Sequence, residues 1–172
     1  GIKNDSMASY SPYLQNVCTV FMLMFGVNFT IYYLLLMRQF RSAFRDEELR
    51  CYLLIFAVAT AAITWDLMPR MDSLGESLHH AAFQVSSIMT TTGFASTDFN
   101  LWSPFSKMVL LMLMILGACA GSTGGGIKSI RLVLVVKDMA RNLRRILRPN
   151  RVELVHINGK PVDDSVLRGV NA

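Results

Sequence analysis

Four stretches carry no Lys, Arg, Asp or Glu: Tyr13 to Met37, Cys51 to Trp65, Ser77 to Thr97, and Met108 to Ile127. The first and last are long enough, at about 1.5 Å per residue, to cross a hydrocarbon core of about 30 Å. Cys51 to Trp65 is shorter, but Arg50 can snorkel and Tyr52 and Trp65 suit the two interfaces, so it too reads as a span. Ser77 to Thr97 is different. It holds His79, His80, Gln84 and a run of Ser and Thr, too polar for lipid, so it must be buried in protein or line water. It reads as re-entrant, entering and leaving on one side.

Composition agrees with the pattern: 52% of the residues are hydrophobic and 17% charged, where soluble domains carry about 25% charged. Disorder and coiled coil are excluded. Orientation follows from the 17 basic residues. Arg38, Arg41, Arg45 and Arg50 lie between the first two spans, and all but Lys3, Arg70 and Lys107 of the rest lie from Lys128 onward. Both clusters are therefore cytosolic. The net charge of +5 is explained by topology and anionic lipid rather than by nucleic acid. Cys18, Cys51 and Cys119 sit in apolar stretches without paired spacing and read as small hydrophobes. No signal peptide is predicted, and no nucleophile-base set or metal cluster points to an enzyme.

The expected organisation is an outer stub (1–12), a span closing a preceding repeat (13–37), a cytosolic linker (38–50), one complete span-pore-span unit (51–148), and a cytosolic remainder (149–172). Within the unit, a first helix covers 51–66, a pore helix 76–89, a filter 90–94, and a broken second helix 104–116 and 127–147, interrupted by a loop at 117–126. Tyr10-Ser11-Pro12-Tyr13 and Trp102-Ser103-Pro104-Phe105 open the first and last spans alike, as a parallel internal repeat requires. Gly1 in place of Met, and a start outside the membrane, predict an excised piece of a longer protein. After Pro149, alternation over Val152 to Ile157, then Asn158-Gly159 and Lys160-Pro161-Val162, predicts a small cytosolic β-hairpin. Asp164 or Ser165 is placed to cap a following helix.

Two strings carry the chemistry. In Thr90-Thr91-Thr92-Gly93-Phe94, three residues stiff at χ1 follow a short helix and hand over to a glycine that can take backbone angles closed to others. Such a strand can turn carbonyls toward an axis and replace the hydration of a monovalent cation, with the negative end of the pore helix behind it. As a local string it is equally a Thr-rich turn. Its place between two spans favours the filter.

The second string is Gly117-Ala118-Cys119-Ala120-Gly121-Ser122-Thr123-Gly124-Gly125-Gly126-Ile127-Lys128. Each glycine costs a helix about 1 kcal/mol relative to alanine, so the helix should break. Three readings stand: small-xxx-small helix pairing, as a non-transporting scaffold or subunit would use; a phosphate loop, though Ile127 separates Gly126 from Lys128; and a soft intramembrane loop facing water, with Ser122 and Thr123 supplying hydroxyls.

These two strings resemble the filter and the broken second helix of the TrkH/TrkG/KtrB superfamily of bacterial potassium-uptake proteins, closest to its TrkH branch. The resemblance covers nearly the whole chain. It implies an all-α integral membrane fold of four concatenated span-pore-span repeats, of which this chain holds the end of the second and all of the third. It further implies a multi-pass protein of the bacterial inner membrane, K+ as the transported ion with no covalent cofactor, and K+ coordination by the backbone of Thr90, Thr91, Thr92 and Gly93. The loop 117–126 would be a gate below the filter. The implied partners are the remaining repeats, a second copy of the protein, lipid, and a cytosolic ring of nucleotide-binding subunits. Absent here are the other repeats and the basic residue that the family sets in the pathway from its fourth, so this chain alone is expected to be inactive.

Other polar groups carry smaller expectations. Asn28 reads as a helix-helix hydrogen-bonding residue. His79 and His80 read as buried or interfacial side chains ahead of pH sensors. Arg141, Arg144, Arg145 and Arg148 read as a solvated or lipid-facing inner extension, with contact to a regulatory partner as the second reading.

Overall fold

The computed structural model describes residues 5–71, 73–147, 156–157 and 160–161. Seven helices run in order: α1 (Pro12–Phe25), α2 (Phe29–Leu36), α3 (Phe40–Phe44), α4 (Glu47–Leu67), α5 (Leu74–Met89), α6 (Pro104–Ile115) and α7 (Ser129–Leu147). Single 3₁₀ turns, Met68–Arg70 and Phe99–Leu101, follow α4 and precede α6. Two short strands, β1 (His156–Ile157) and β2 (Lys160–Pro161), pair antiparallel. The turn Asn158-Gly159, most of the segment before it, Arg148, and the capping candidates Asp164 and Ser165 lie outside the described residues.

Helix starts follow from local chemistry. Asp46 accepts the N–H of Leu49 at 2.9 Å, so α4 begins at Glu47, four residues ahead of the expected Cys51. Ser73 accepts the N–H of Glu76 at 3.1 Å, which starts α5 at Leu74 rather than Glu76. Pro12 and Pro104 each sit in the first turn of their helix, after a serine of nearly identical backbone angles, −60°, 149° at Ser11 and −63°, 157° at Ser103.

The expected single helix over 13–37 is corrected. It is two helices, α1 and α2, meeting at a 92° bend. Gly26 ends the first, and Asn28, extended at φ −61°, ψ 128°, caps the second by accepting the N–H of Thr30 at 2.9 Å. Asn28 therefore works first as a helix cap. No side chain fits at Gly26, because a Cβ there would lie 2.3 Å from the Tyr52 hydroxyl and 2.9 Å from Thr90 Cγ2. The carbonyls released by the break all find donors: Leu23 O takes the Tyr52 hydroxyl at 3.1 Å, Met24 O the Tyr32 hydroxyl at 2.5 Å, Phe25 O the Thr123 hydroxyl at 3.2 Å, and Gly26 O the N–H of Cys119 at 3.1 Å. That full accounting lets a break persist at a depth without bulk water.

Helix α5 is the centre of the packing, lying against α1, α4 and α6, while α7 returns along α4. The core joins Tyr52, Ile63 and Leu67 of α4 to Ala81, Val85 and Met89 of α5, Leu110 and Leu113 of α6, and Ala118 and Cys119 of the loop. Small polar groups share that interior: Ser77, Ser86, Ser87 and Ser106 are fully buried, while Leu36 is 83% and Trp65 80% exposed. An interior that admits small polar groups under a surface rich in large apolar side chains suits a protein surrounded by lipid and further protein. By length and composition, α4 alone can cross a membrane among the described residues, and α1 with α2 passes the same test as a bent pair.

Candidate functional site

The site is built at the C-terminal end of α5. There the chain turns back on the helix: the N–H groups of Thr90 and Thr91 reach Ser86 O and Ile88 O at 3.0 Å, and those of Thr92 and Gly93 reach Ser87 O at 2.9 and 3.4 Å. Thr90 Oγ1 donates to Ser86 O at 2.7 Å and meets Thr92 Oγ1 at 2.8 Å. The reversal needs positive φ at Thr91 (58°) and Gly93 (79°). At Gly93 this is free. At Thr91, a β-branched residue, it is a strained conformation costing about 1–3 kcal/mol, of a kind concentrated at functional sites.

The donors are thus consumed internally and the acceptors are not. Among the described residues, the carbonyl oxygens of Thr90, Thr91, Thr92 and Gly93 accept no hydrogen bond. Phe94 differs, since its carbonyl accepts the Ser87 hydroxyl at 2.6 Å. The end-of-helix carbonyls expected to face a cation are corrected in part: those of Ser86, Ser87 and Ile88 are occupied by the turn. Beyond it, Met7 N–H donates to Ala95 O at 2.9 Å and Ala95 N–H to the Ser6 hydroxyl at 3.0 Å, so the N-terminal segment braces the exit from the turn.

The glycine-rich string is a loop, as α6 stops at Ile115 and α7 starts at Ser129. Its neck is closed by backbone bonds, Gly117 N–H to Ile127 O at 2.8 Å and Ile127 N–H to Ile115 O at 3.0 Å. The crossing is so close that a Cβ at Gly117 would sit 1.9 Å from Gly125 O. Gly121 (φ 67°) and Gly126 (φ 77°) need the left-handed region. Ala118 and Cys119 are fully buried. Ser122 donates to Cys119 O at 2.6 Å, Ser129 to Gly117 O at 3.1 Å, and the Lys128 ammonium to Gly124 O. With no helix here, the small-xxx-small pairing surface does not exist. The phosphate-loop reading also falls, because a helix rather than a strand precedes the glycines.

Turn and loop touch. Gly125 N–H donates to the Thr91 hydroxyl at 2.9 Å, and a Cβ on Gly124 would come within 3.5 Å of Thr90 O and 2.6 Å of Ala118 Cβ. The loop also locks against the α1–α2 break: Cys119 N–H donates to Gly26 O and Phe29 N–H to Gly121 O, both at 3.1 Å. Beside both lies a cavity of about 320 Å³ lined by Met22, Phe25, Thr90, Thr92, Phe94 and Thr123, with Cys18 and Phe21.

Three participants were not legible from the sequence: the break at Gly26, the Thr91 hydroxyl as a partner of the loop, and Glu48. The Glu48 carboxylate, 4% exposed, accepts the N–H of Ala120 at 2.5 Å. The available signals were a glycine and an asparagine two apart in an apolar run, and an acidic pair beside a span. His79 meets Gln15 and Asn16 at 2.6 and 2.8 Å, and His80 meets Ser96 at 3.0 Å, so both tie α5 to its neighbours.

A bent α1–α2 pair, a tight turn after α5 and a glycine-rich loop thus meet at one place. Residues 2–170 match the TrkH family, described as a cation transport protein. The chain belongs to the TrkH family. It is 32% identical over 173 residues to the Trk system potassium uptake protein TrkH of Salmonella typhimurium, covering 97% of this chain and 36% of that protein. It is 33% identical over 172 residues to the Trk system potassium uptake protein TrkG of Escherichia coli, covering 97% and 35%. The crystal structure of the potassium transporter TrkH from Vibrio parahaemolyticus superposes with a TM-score of 0.86 at 30% identity, over 98% of this chain and 37% of that one. The chain thus spans little more than a third of the relatives it matches. TrkH-family transport proteins are membrane proteins, and these relatives are named as potassium transporters, not enzymes.

Proposed function

We propose that this chain is one filter-bearing unit, with the closing span of the unit before it, of a potassium-uptake protein of the bacterial inner membrane. The observation that supports it best is the asymmetry of the turn after α5: among the described residues every N–H from Thr90 to Gly93 is engaged and no carbonyl from Thr90 to Gly93 meets a donor, which leaves all four open to a ligand. Water or a monovalent cation can supply that ligand. In this reading α5 is re-entrant, Thr90, Thr91, Thr92, Gly93 and Phe94 form the filter, and K+ is the cargo, held by the first four carbonyls. Gly117 to Gly126, including Ala118, Cys119, Ala120, Gly121, Ser122, Thr123, Gly124 and Gly125, form a gate against the filter's inner side. Both the α1–α2 and the α6–α7 segments are interrupted, at Gly26 and over 117–126, which favours tandem units. The domain scheme follows, with α7 as the inner part of the broken second helix and the basic linker and the β1–β2 pair in the cytosol. Partners are the remaining units, a second copy, lipid, and a nucleotide-binding regulatory ring on the cytosolic face.

The test is made in the full-length parent protein, in a bacterium lacking its own potassium uptake. The parent gene is expected to restore growth at low K+. Gly124→Ala presses on Ala118 and should change the flux between resting and activated conditions while leaving K+ over Na+ preference intact. Unaltered flux under every opening condition removes the gate assignment. Failure of the parent gene to restore growth removes the transport reading.

A further inference from the structure

We propose that Glu48 is a positioning residue that latches the glycine-rich loop in its shut arrangement, an inference that rests on the loop being the gate. The carboxylate is 4% exposed at the first turn of α4. It accepts the N–H of Ala120 in the loop at 2.5 Å, and the side-chain amide of Asn28 at the α1–α2 break and the N–H of Ile130 in the first turn of α7 stand near it. A carboxylate only accepts, so neutral donors are the groups that suit it here.

Position gives the latch its leverage. Ala120 lies between the neck at Gly117–Ile127 and the face of the loop that meets Thr91 through Gly125. Lifting the loop out of the pathway pulls Ala120 N–H from Glu48, while α4 keeps the buried carboxylate in place. A buried carboxylate held by neutral donors is expensive to keep for stability alone, and a hydrogen bond to an ionised acceptor is among the stronger kinds. The neighbouring Glu47–Lys137 ion pair also joins α4 to α7, but with both side chains about one-third exposed it contributes little.

Glu48→Gln distinguishes a latch from a filler. Glutamine keeps the size but removes the charge that strengthens the Ala120 bond and turns an NH2 group toward neighbouring donors. Glu48→Asp keeps the charge and retracts it from Ala120. In the full-length protein, with Cys18, Cys51 and any further cysteines replaced, buried Cys119 reports on the loop through its labelling by a membrane-permeant thiol reagent. We expect Glu48→Gln to raise both resting K+ flux and Cys119 labelling about tenfold, the ratio that losing one charge-assisted hydrogen bond gives a two-state equilibrium. Glu48→Asp should fall between, and K+ over Na+ preference should not move. Resting flux and labelling at the parental level in both variants, with Gly124→Ala still altering gating, overturns the latch and leaves the gate. A silent Gly124→Ala as well removes both. Hydrogen exchange in the unsubstituted protein decides the matter should the variants fail to accumulate: the Ala120 amide is expected to be protected at rest and released on activation. Equal exchange in the two conditions overturns the proposal.

Discussion

Glycine has two distinct uses here, and substitutions separate them from a position that has neither. At Gly117 the reason is space: a Cβ would land 1.9 Å from Gly125 O, a backbone atom that cannot swing aside. Gly117→Ala is expected to cost about 2–4 kcal/mol, read as a lower melting temperature of the purified full-length protein. At Gly93 the reason is conformation, since φ is 79° and nothing lies within 4 Å of a Cβ. Gly93→Ser should therefore cost only about 1 kcal/mol of backbone strain, yet shift the carbonyls on either side and relax discrimination of K+ from Na+ in competition uptake. Intact selectivity would take Gly93 out of the filter. At Gly75, in the exposed first turn of α5 with only Ser73 Oγ nearby at 3.9 Å, neither reason holds. Gly75→Ala should stabilise by a few tenths to about 1 kcal/mol, with flux unchanged.

Among elements, helix ends explain more than helix interiors. Ser103 caps α6 through the N–H of Ser106 at 3.2 Å and also donates to the Asp66 carboxylate, which takes the Ser106 hydroxyl at 2.5 Å. This joins the outer end of α4 to the start of α6. Ser103→Ala removes a cap and a charge-assisted bond together, and should cost about 1–3 kcal/mol in thermal unfolding. Although Ser73 and Asp46 start α5 and α4 two and four residues before the expected Glu76 and Cys51, the serine before Pro104 and the glycine string that ends α6 were legible in the local sequence. The break at Gly26 was not. A window average over Tyr13 to Met37 sees uniform apolarity, and what ends α1 is the Tyr52 hydroxyl from another helix together with four carbonyl acceptors met by Tyr32, Tyr52, Cys119 and Thr123.

For the whole molecule, the decisive feature is that polar groups face inward without closing a ring. One turn offers four carbonyls, whereas the proposed replacement of a hydration shell needs oxygens all around the ion. Reconstituted alone in vesicles, the 172-residue chain is expected to carry no K+ flux above empty vesicles, while the full-length parent does. Flux through the isolated chain would show that the pathway does not require further units.

Sequence by itself determined which stretches avoid charge, where capping residues and glycines stop helices, and that a Thr-Thr-Thr-Gly turn and a glycine-rich loop share one chain. Those are local properties, set by side-chain transfer energies and backbone sterics within a few residues. Tertiary structure alone decided that the loop rests on Thr91, that Gly26 is a second break pressed against the first, and that Glu48 reaches Ala120. These depend on hydrogen-bond groups whose partners are distant in the chain. Where water is scarce, each group freed by a break must find such a partner, and only the packed helices say which one it finds.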